Sequence, residues 1–263
     1  MSISSLALVH PNARIGRNVV IDAFATIDED TTIGDDSWIA SHAHVINGAT
    51  IGKSCKIYQG AVIGSDPQDL KYGGEKTTLE IGDHVTIREY CTINRGTKAA
   101  GTTTIGDHSL IMAYAHVAHD CQIDNHVVLA NGVNLAGHVE IGEYAIVGGM
   151  TAVQQFLSIG RHSFIGGGTL IRKDVPPYVK AAREPLSYMG VNTIGLGRRG
   201  YKDEDLGLLQ DIYRSLFIKH RNISVGLEEL KKQFSTNTPY VQEIISFVEG
   251  SRHGVIRGSR DQD

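Results

Sequence analysis

From Val9 to Ile171 every sixth residue is Ile, Val or Leu, with three exceptions, Asp69, Glu75 and Ala99. A period of six held in phase over that length fits neither a helix nor an ordinary strand. It is the signature of a hexapeptide solenoid, in which three hexads make one triangular coil of about 18 residues. Each hexad supplies one short strand and one corner. The aliphatic residue points inward, and the residue four places later, mostly Ala, Ser, Thr, Val or Cys, packs beside it. Gly follows the aliphatic residue at 16, 34, 52, 64, 82, 106, 142, 148, 160 and 166, where tolerance of positive φ suits a corner. Coils stack as parallel strands about 4.8 Å apart, so residues about 18 apart are vertical neighbours and the whole makes a prism of roughly 40 Å. Ile3 is also in phase and allows one more coil.

Two segments leave the period and return in phase: 65–80 (SDPQDLKYGGEKTTLE) and 96–104 (GTKAAGTTT). Long connections on a rigid scaffold are frequent sites of function, and the mixed charge and Tyr72 of the first favour one. The period ends near Asp174-Val175-Pro176-Pro177, and a connecting stretch runs to Tyr201. Helical spacing then places Leu206, Leu209, Ile212, Tyr213, Leu216 and Phe217 on one face. A second helix is predicted from Ser224, with Leu227, Leu230 and Phe234. A third has Thr238 as N-cap and Pro239 at its first position, then Val241, Ile244, Ile245 and Val248. The tail after Gly250 is basic and reads as loose. The fold class expected is mainly β: a parallel β-helix over 1–190 and a C-terminal α-helical unit over 191–263 that covers one end or side of the prism, because a solenoid needs capped ends.

Composition narrows the function. A formal charge of −4 over 263 residues leaves no global nucleic-acid footprint. The apolar runs are too short to span a bilayer. Met1-Ser2-Ile3-Ser4 lacks a basic n-region, so no secretory signal and a cytosolic location are expected. Cys55, Cys91 and Cys121 all fall at the small inward position, which makes them packing residues rather than ligands, nucleophiles or disulfide partners.

Histidines carry the chemistry. His42, His84, His108, His126, His138 and His162 stand three places after an aliphatic residue, an outward polar slot, and most read as solvated surface groups. The informative stretch is AHVAHDC, 115–121, which puts His116, His119 and Asp120 together. One coil on, Gly137 stacks over His119 with His138 beside it; the next coil brings Gln154 and Gln155. A histidine near neutral pKa suits general-base work. Asp120 could orient it, and the Gly137 N–H could stabilise an oxyanion. His116, His119 and His138 also make a candidate three-His zinc set. On the residues alone the base is favoured, with zinc and plain surface histidines left open.

At these residues the chain closely resembles the acyl-carrier-protein–UDP-N-acetylglucosamine O-acyltransferases of lipid A biosynthesis. The resemblance covers essentially the whole length and rests on AHVAHDC (115–121), LAGHV (135–139), GGMTAVQQF (148–156), PQDLKYGGE (67–75), INRGT (93–97), KDVPPYV (173–179) and GVNTIGLGRRG (190–200). It implies a left-handed helix and a homotrimer with active sites in clefts between subunits. It implies that His119 is the general base for the glucosamine 3-hydroxyl, Asp120 its orienting partner and Gly137 the oxyanion donor, with His116 and His138 touching substrate. Sugar-nucleotide contacts carry over to Asp69, Lys71, Gln155, Asn192 and Arg198, the two cations offsetting diphosphate charge. The acyl donor would be acyl carrier protein, an acidic partner suited to a basic surface, for which Arg161, Arg172, Lys173, Lys180 and Arg183 are candidates. No metal and no organic cofactor is implied.

The chain departs from the family pattern at two places. Gln154 stands where the family often has His; it can hydrogen-bond but cannot titrate. Pro185 stands where some members carry His near the acyl-chain end, and with Gly166, Gly167 and Gly168 nearby a longer chain would be admitted. Two other readings compete. A related sugar-nucleotide N-acyltransferase usually carries an N-terminal uridine-binding domain, whereas the repeat here starts at once. A zinc-dependent hexapeptide enzyme resembling carbonic anhydrase would show bound metal.

Overall fold

The computed structural model describes residues 2–219, 222–234 and 238–258. The hexads form a three-faced parallel β-helix. Face A begins with Ser2–Ile3, face B with Leu8–Val9 and face C with Arg14–Ile15. The chain visits A, B and C in turn, and each strand pairs with the strand one coil away. The in-phase aliphatic residues fill the interior: Ile21, Ile39, Ile57, Ile87 and Leu129 are almost or wholly without exposure. Ile57 pairs with Ile87, Ile87 with Ile111, and Ile111 with Leu129. The registers show the two excursions as insertions of twelve and six residues that leave the phase intact.

The corners differ from the sequence expectation. Among the ten glycines that follow an aliphatic residue only Gly64 has positive φ. The others permit close approach of coils: a Cβ on Gly34 would lie 2.5 Å from the Gly52 carbonyl carbon, and one on Gly82 would lie 2.2 Å from Asp107 Oδ1. The left-handed conformation falls instead two residues later, on His84, Tyr90, His108, Tyr114, Asp120, His126, His138, Tyr144 and others, with φ near +60°. That conformation costs a non-glycine residue about 1–2 kcal/mol. Stacking between coils offsets the cost. Along edge CA, His84, His108, His126, Tyr144, His162 and Tyr178 stack face to face with centroids 4.4–5.7 Å apart. These histidines are therefore not all solvated groups; His162 is buried at 4% exposure.

The three cysteines are buried in the wall, as their position predicts. Burial pushes the thiols up, to about 11 for Cys55 and Cys91 and about 12 for Cys121.

After the repeat, Val179–Ala182 and Ser187–Val191 form an antiparallel pair that extends face A. Helix α1 (Thr193–Gly197), α2 (Asp203–Tyr213, continued by a π-helical turn to Ile218), α3 (Ile223–Gln233) and α4 (Pro239–Gly250) follow. Leu209, Ile212, Tyr213, Leu216, Leu230, Val241 and Ile244 are buried, which is the apolar face that the spacing predicts. Tyr213 donates to the Pro177 carbonyl at 2.6 Å and fastens α2 to the last coil. The tail is not loose as far as Gly258. Val255 and Ile256 are buried, and Arg257–Gly258 pairs with Ser187–Tyr188. Basic Arg252 and Arg257 flank two adjacent aliphatics, Val255 and Ile256, that complete the core.

Candidate active site

Both excursions leave face B and return on face C, so they crowd the same edge, BC, that carries His119. Asp120 sits in the left-handed corner position, φ +61°, which turns its carboxylate inward. That side chain has no solvent exposure. His119 Nδ1 donates to Asp120 Oδ2 at 2.8 Å. A carboxylate only accepts, so this bond puts the ring proton on Nδ1 and leaves the Nε2 lone pair available. The Thr97 backbone N–H donates to Asp120 Oδ1 at 2.8 Å and the Thr97 hydroxyl to Oδ2 at 2.7 Å. The Asp120 N–H donates to Thr103 Oγ1 at 2.8 Å. His138 Nε2 stands 3.4 Å from the same Oδ2. Burial opposes the charge on Asp120, but the bonds from His119 and Thr97 more than offset it and hold the carboxyl below the usual range.

Gly137 lies against the His119 ring. A Cβ there would meet Cε1 at 2.6 Å and Nε2 at 2.8 Å, so the His119 ring occupies the space that any other residue would fill. The Gly137 carbonyl accepts from Phe156 N–H at 3.1 Å, while its own N–H makes no hydrogen bond among the described residues. Phe156 stacks on His138 at 4.4 Å. His116, on face B, shares a 2.7 Å hydrogen bond with Thr92 Oγ1. Burial, together with nearby His119, lowers its pKa despite a raising contribution from Thr92. Gln154 and Gln155 are exposed on the same edge.

Asp69 and Lys71 ride the first excursion. Asp69 Oδ1 accepts the Lys71 N–H at 2.9 Å, a turn that leaves the Lys71 side chain exposed. The loop is anchored from beneath by two residues that the sequence reading did not single out. Asn94 Nδ2 donates to the Asp66 carbonyl at 2.6 Å. Arg95 donates to Tyr72 Oη at 2.8 Å and to the Gly64 carbonyl at 3.1 Å, and pairs with Asp66. Both lie within INRGT (93–97), which is the available signal; the contacts themselves span more than 20 residues.

Asn192 and Arg198 lie elsewhere in the chain. Asn192 is buried on edge CA, where its Nδ2 donates to the His162 carbonyl at 2.9 Å and its Oδ1 caps α1 by accepting from Gly195 N–H at 3.2 Å. Arg198 is exposed. Arg199, by contrast, stacks over the Tyr144 ring at 4.8 Å and donates to the Gly195 carbonyl. Of the basic candidates for a carrier surface, Arg161 is committed to Tyr178 and Glu243, Arg172 pairs with Glu184, and Lys173 donates to the His253 carbonyl.

The arrangement is a polarised imidazole beside a backbone N–H, which suits proton abstraction and oxyanion stabilisation. A three-His metal set is not what the fold assembles. Among the described residues the groups close enough to share an ion are His119, Asp120 and His138, while His116 is bonded to Thr92.

Comparison with known proteins identifies the family. The family model described as Udp N-acetylglucosamine O-acyltransferase, Domain 2, matches residues 174–256, and the six-repeat bacterial transferase hexapeptide matches 30–65 and 102–137. A curated relative from Chlorobaculum parvum, named acyl-[acyl-carrier-protein]–UDP-N-acetylglucosamine O-acyltransferase, is 45% identical over 254 residues, covering 96% of each chain. One of the same name from Thermodesulfovibrio yellowstonii is 41% identical over 256 residues, covering 97% of this chain and 99% of its own. The solved UDP-N-acetylglucosamine acyltransferase of Bacteroides fragilis superposes with a TM-score of 0.93 at 41% identity, covering 97% of this chain and 99% of that one. The LpxA structure from Acinetobacter baumannii gives 0.92 at 38% over the same shares. With its left-handed parallel β-helix and C-terminal helices, the chain belongs to the acyl-[acyl-carrier-protein]–UDP-N-acetylglucosamine O-acyltransferase family.

Proposed function

We propose that this chain transfers a (3-hydroxy)acyl group from acyl carrier protein to the 3-hydroxyl of UDP-N-acetylglucosamine, the first step of lipid A biosynthesis. The observation that carries this reading is the free Nε2 of His119 lying directly over Gly137. His119 Nε2 takes the proton of the sugar hydroxyl as its oxygen attacks the thioester carbonyl. The Gly137 N–H donates to the oxyanion, and buried Asp120 stabilises the imidazolium. On collapse the carrier thiol leaves with the proton that His119 returns. No step calls on a metal or an organic cofactor.

Asp69 and Lys71, with His116, His138 and Gln155, form the acceptor side of the site on edge BC. Asn192 and Arg198 belong to edge CA, so in one chain they flank a different surface. A homotrimer that sets edge CA of one copy against edge BC of the next completes the site. Asn192 then shapes the α1 turn that presents Arg198 to the diphosphate. Acyl carrier protein and a nucleotide sugar place the enzyme in the cytoplasm. No described helix is long and apolar enough to cross a membrane.

The test is acyl transfer from a panel of 3-hydroxyacyl carrier proteins to UDP-N-acetylglucosamine, with wild type and His119→Ala side by side. Transfer by wild type, reduced roughly 10²–10⁴-fold in the variant, is expected. The panel reports chain length. No transfer with any donor would refute the substrate assignment, and undiminished transfer by His119→Ala would remove His119 from the chemistry.

A further inference from the structure

The second excursion, 96–104, looks incidental in the sequence: six extra residues, small and polar, between two strands. Its geometry says otherwise. It leaves edge BC one coil before Asp120 and turns back at once. Gly96 N–H donates to the Thr78 carbonyl at 3.0 Å, and the Gly101 N–H to the Thr97 carbonyl at 2.7 Å. A Cβ on Gly96 would lie 2.4 Å from Thr102 N, so the return is as tight as the backbone permits. The turn leaves Thr97 5% exposed with both of its donors aimed at one carboxylate.

The inventory of that carboxylate is complete. Oδ1 accepts from the Thr97 N–H. Oδ2 accepts from the Thr97 hydroxyl and from His119 Nδ1, with His138 Nε2 3.4 Å away. With no exposure, Asp120 has no water to replace a lost donor. The Thr97 hydroxyl and the His119 ring therefore share the electron density of one oxygen atom. We infer that Thr97 is a positioning residue for the acyl transfer: its hydroxyl fixes the rotamer of Asp120 and limits how strongly Asp120 attracts the His119 proton, which sets the basicity of Nε2. This rests on the reading of His119 as the base.

The sign follows from the competition. Without the hydroxyl, Asp120 Oδ2 has one donor fewer, holds the imidazolium more tightly, and keeps His119 protonated to a higher pH. Besides Asp120, the ionisable groups facing His119 are His116 on face B and His138 in the next coil. Neither histidine hydrogen-bonds to Thr97 among the described residues, so of these groups only Asp120 loses a partner on substitution there.

The experiment compares Thr97→Val, Thr97→Ser and His119→Ala with wild type by kcat and KM for UDP-N-acetylglucosamine across the pH range. Circular dichroism and trimer elution serve as fold controls. Thr97→Val keeps the backbone donor and the volume but loses the hydroxyl. The expected result is a roughly ten- to hundredfold lower kcat with little change in KM, and an acid limb of the kcat profile moved to higher pH. Thr97→Ser should restore both. If Thr97→Val does not fold, Thr97→Ala, which also keeps the backbone donor and lacks the hydroxyl, is read against the same outcomes. A Thr97→Val enzyme with wild-type kcat and limb overturns the inference. So does a kcat lowered equally at every pH, which a merely structural role would produce, or a Thr97→Ser as impaired as Thr97→Val. An active His119→Ala would instead overturn the base itself.

Discussion

At the scale of single residues, the site is governed by what one atom position can hold. The His119 ring occupies the place of a side chain at 137. Gly137→Ala adds one methyl group that cannot coexist with that ring, and Gly137 has no positive φ to be strained. The variant should therefore fold with little loss of stability yet lower kcat by about 10²-fold or more, since displacing a base by about 1 Å is enough to do so. A crystal structure showing the His119 ring unmoved beside an alanine, with wild-type kcat, would contradict this account. The same packing logic explains the buried carboxylate. Asp120 stays charged without solvent because both of its oxygens have donors, one on Oδ1 and two on Oδ2.

The ladder of stacked rings on edge CA is an element in its own right, built from one corner residue per coil. Its buried histidine, His162, shows what that placement does to a titrating group. Burial, aided by the nearby Arg199 and Arg161 cations, lowers its pKa to about 4 from 6.5. The folded state thus binds its proton less readily than the unfolded chain. The stability this contributes is fully present above pH 6.5 and is lost as pH falls through that value toward 4, on the order of 2–3 kcal/mol in all. His162→Phe should keep the stack, since Phe24 and Phe156 adopt the same left-handed corner. Denaturant unfolding of the variant should then show a shallower loss of stability over this pH window than wild type. Equal slopes would mean that other groups dominate acid unfolding.

The molecule as a whole places the proposed substrate-binding groups on two separate edges. His119, Asp120, Gly137, His138, Gln155 and the first excursion share edge BC; Asn192 and Arg198 lie beyond face A at edge CA. A functional unit that uses all of them must bring two copies together. Subunits carrying His119→Ala and subunits carrying Arg198→Ala should each transfer poorly at low sugar-nucleotide concentration. Co-assembled in equal amounts, they should regain about a quarter of wild-type activity, because a quarter of interfaces then pair an intact His119 with an intact Arg198. Mixed assemblies no better than the parent variants would place both residues in one chain's site or remove Arg198 from it.

The period of six determined the coil, the inward column and the vertical neighbours, because side-chain direction in a stacked strand follows from counting alone. Thus Gly137 over His119, and the inert wall position of Cys55, Cys91 and Cys121, were legible from residue numbers. So were the helix faces and the kinship carried by AHVAHDC. The left-handed corner was assigned to the wrong position, because glycine there serves close approach rather than positive φ, and only distances between coils distinguish the two. Thr97 on Asp120, Asn94 and Arg95 beneath the first excursion, and Val255 and Ile256 in the core were not legible either. Each depends on how an aperiodic segment folds back, and outside the repeat no count of residues fixes which atoms meet.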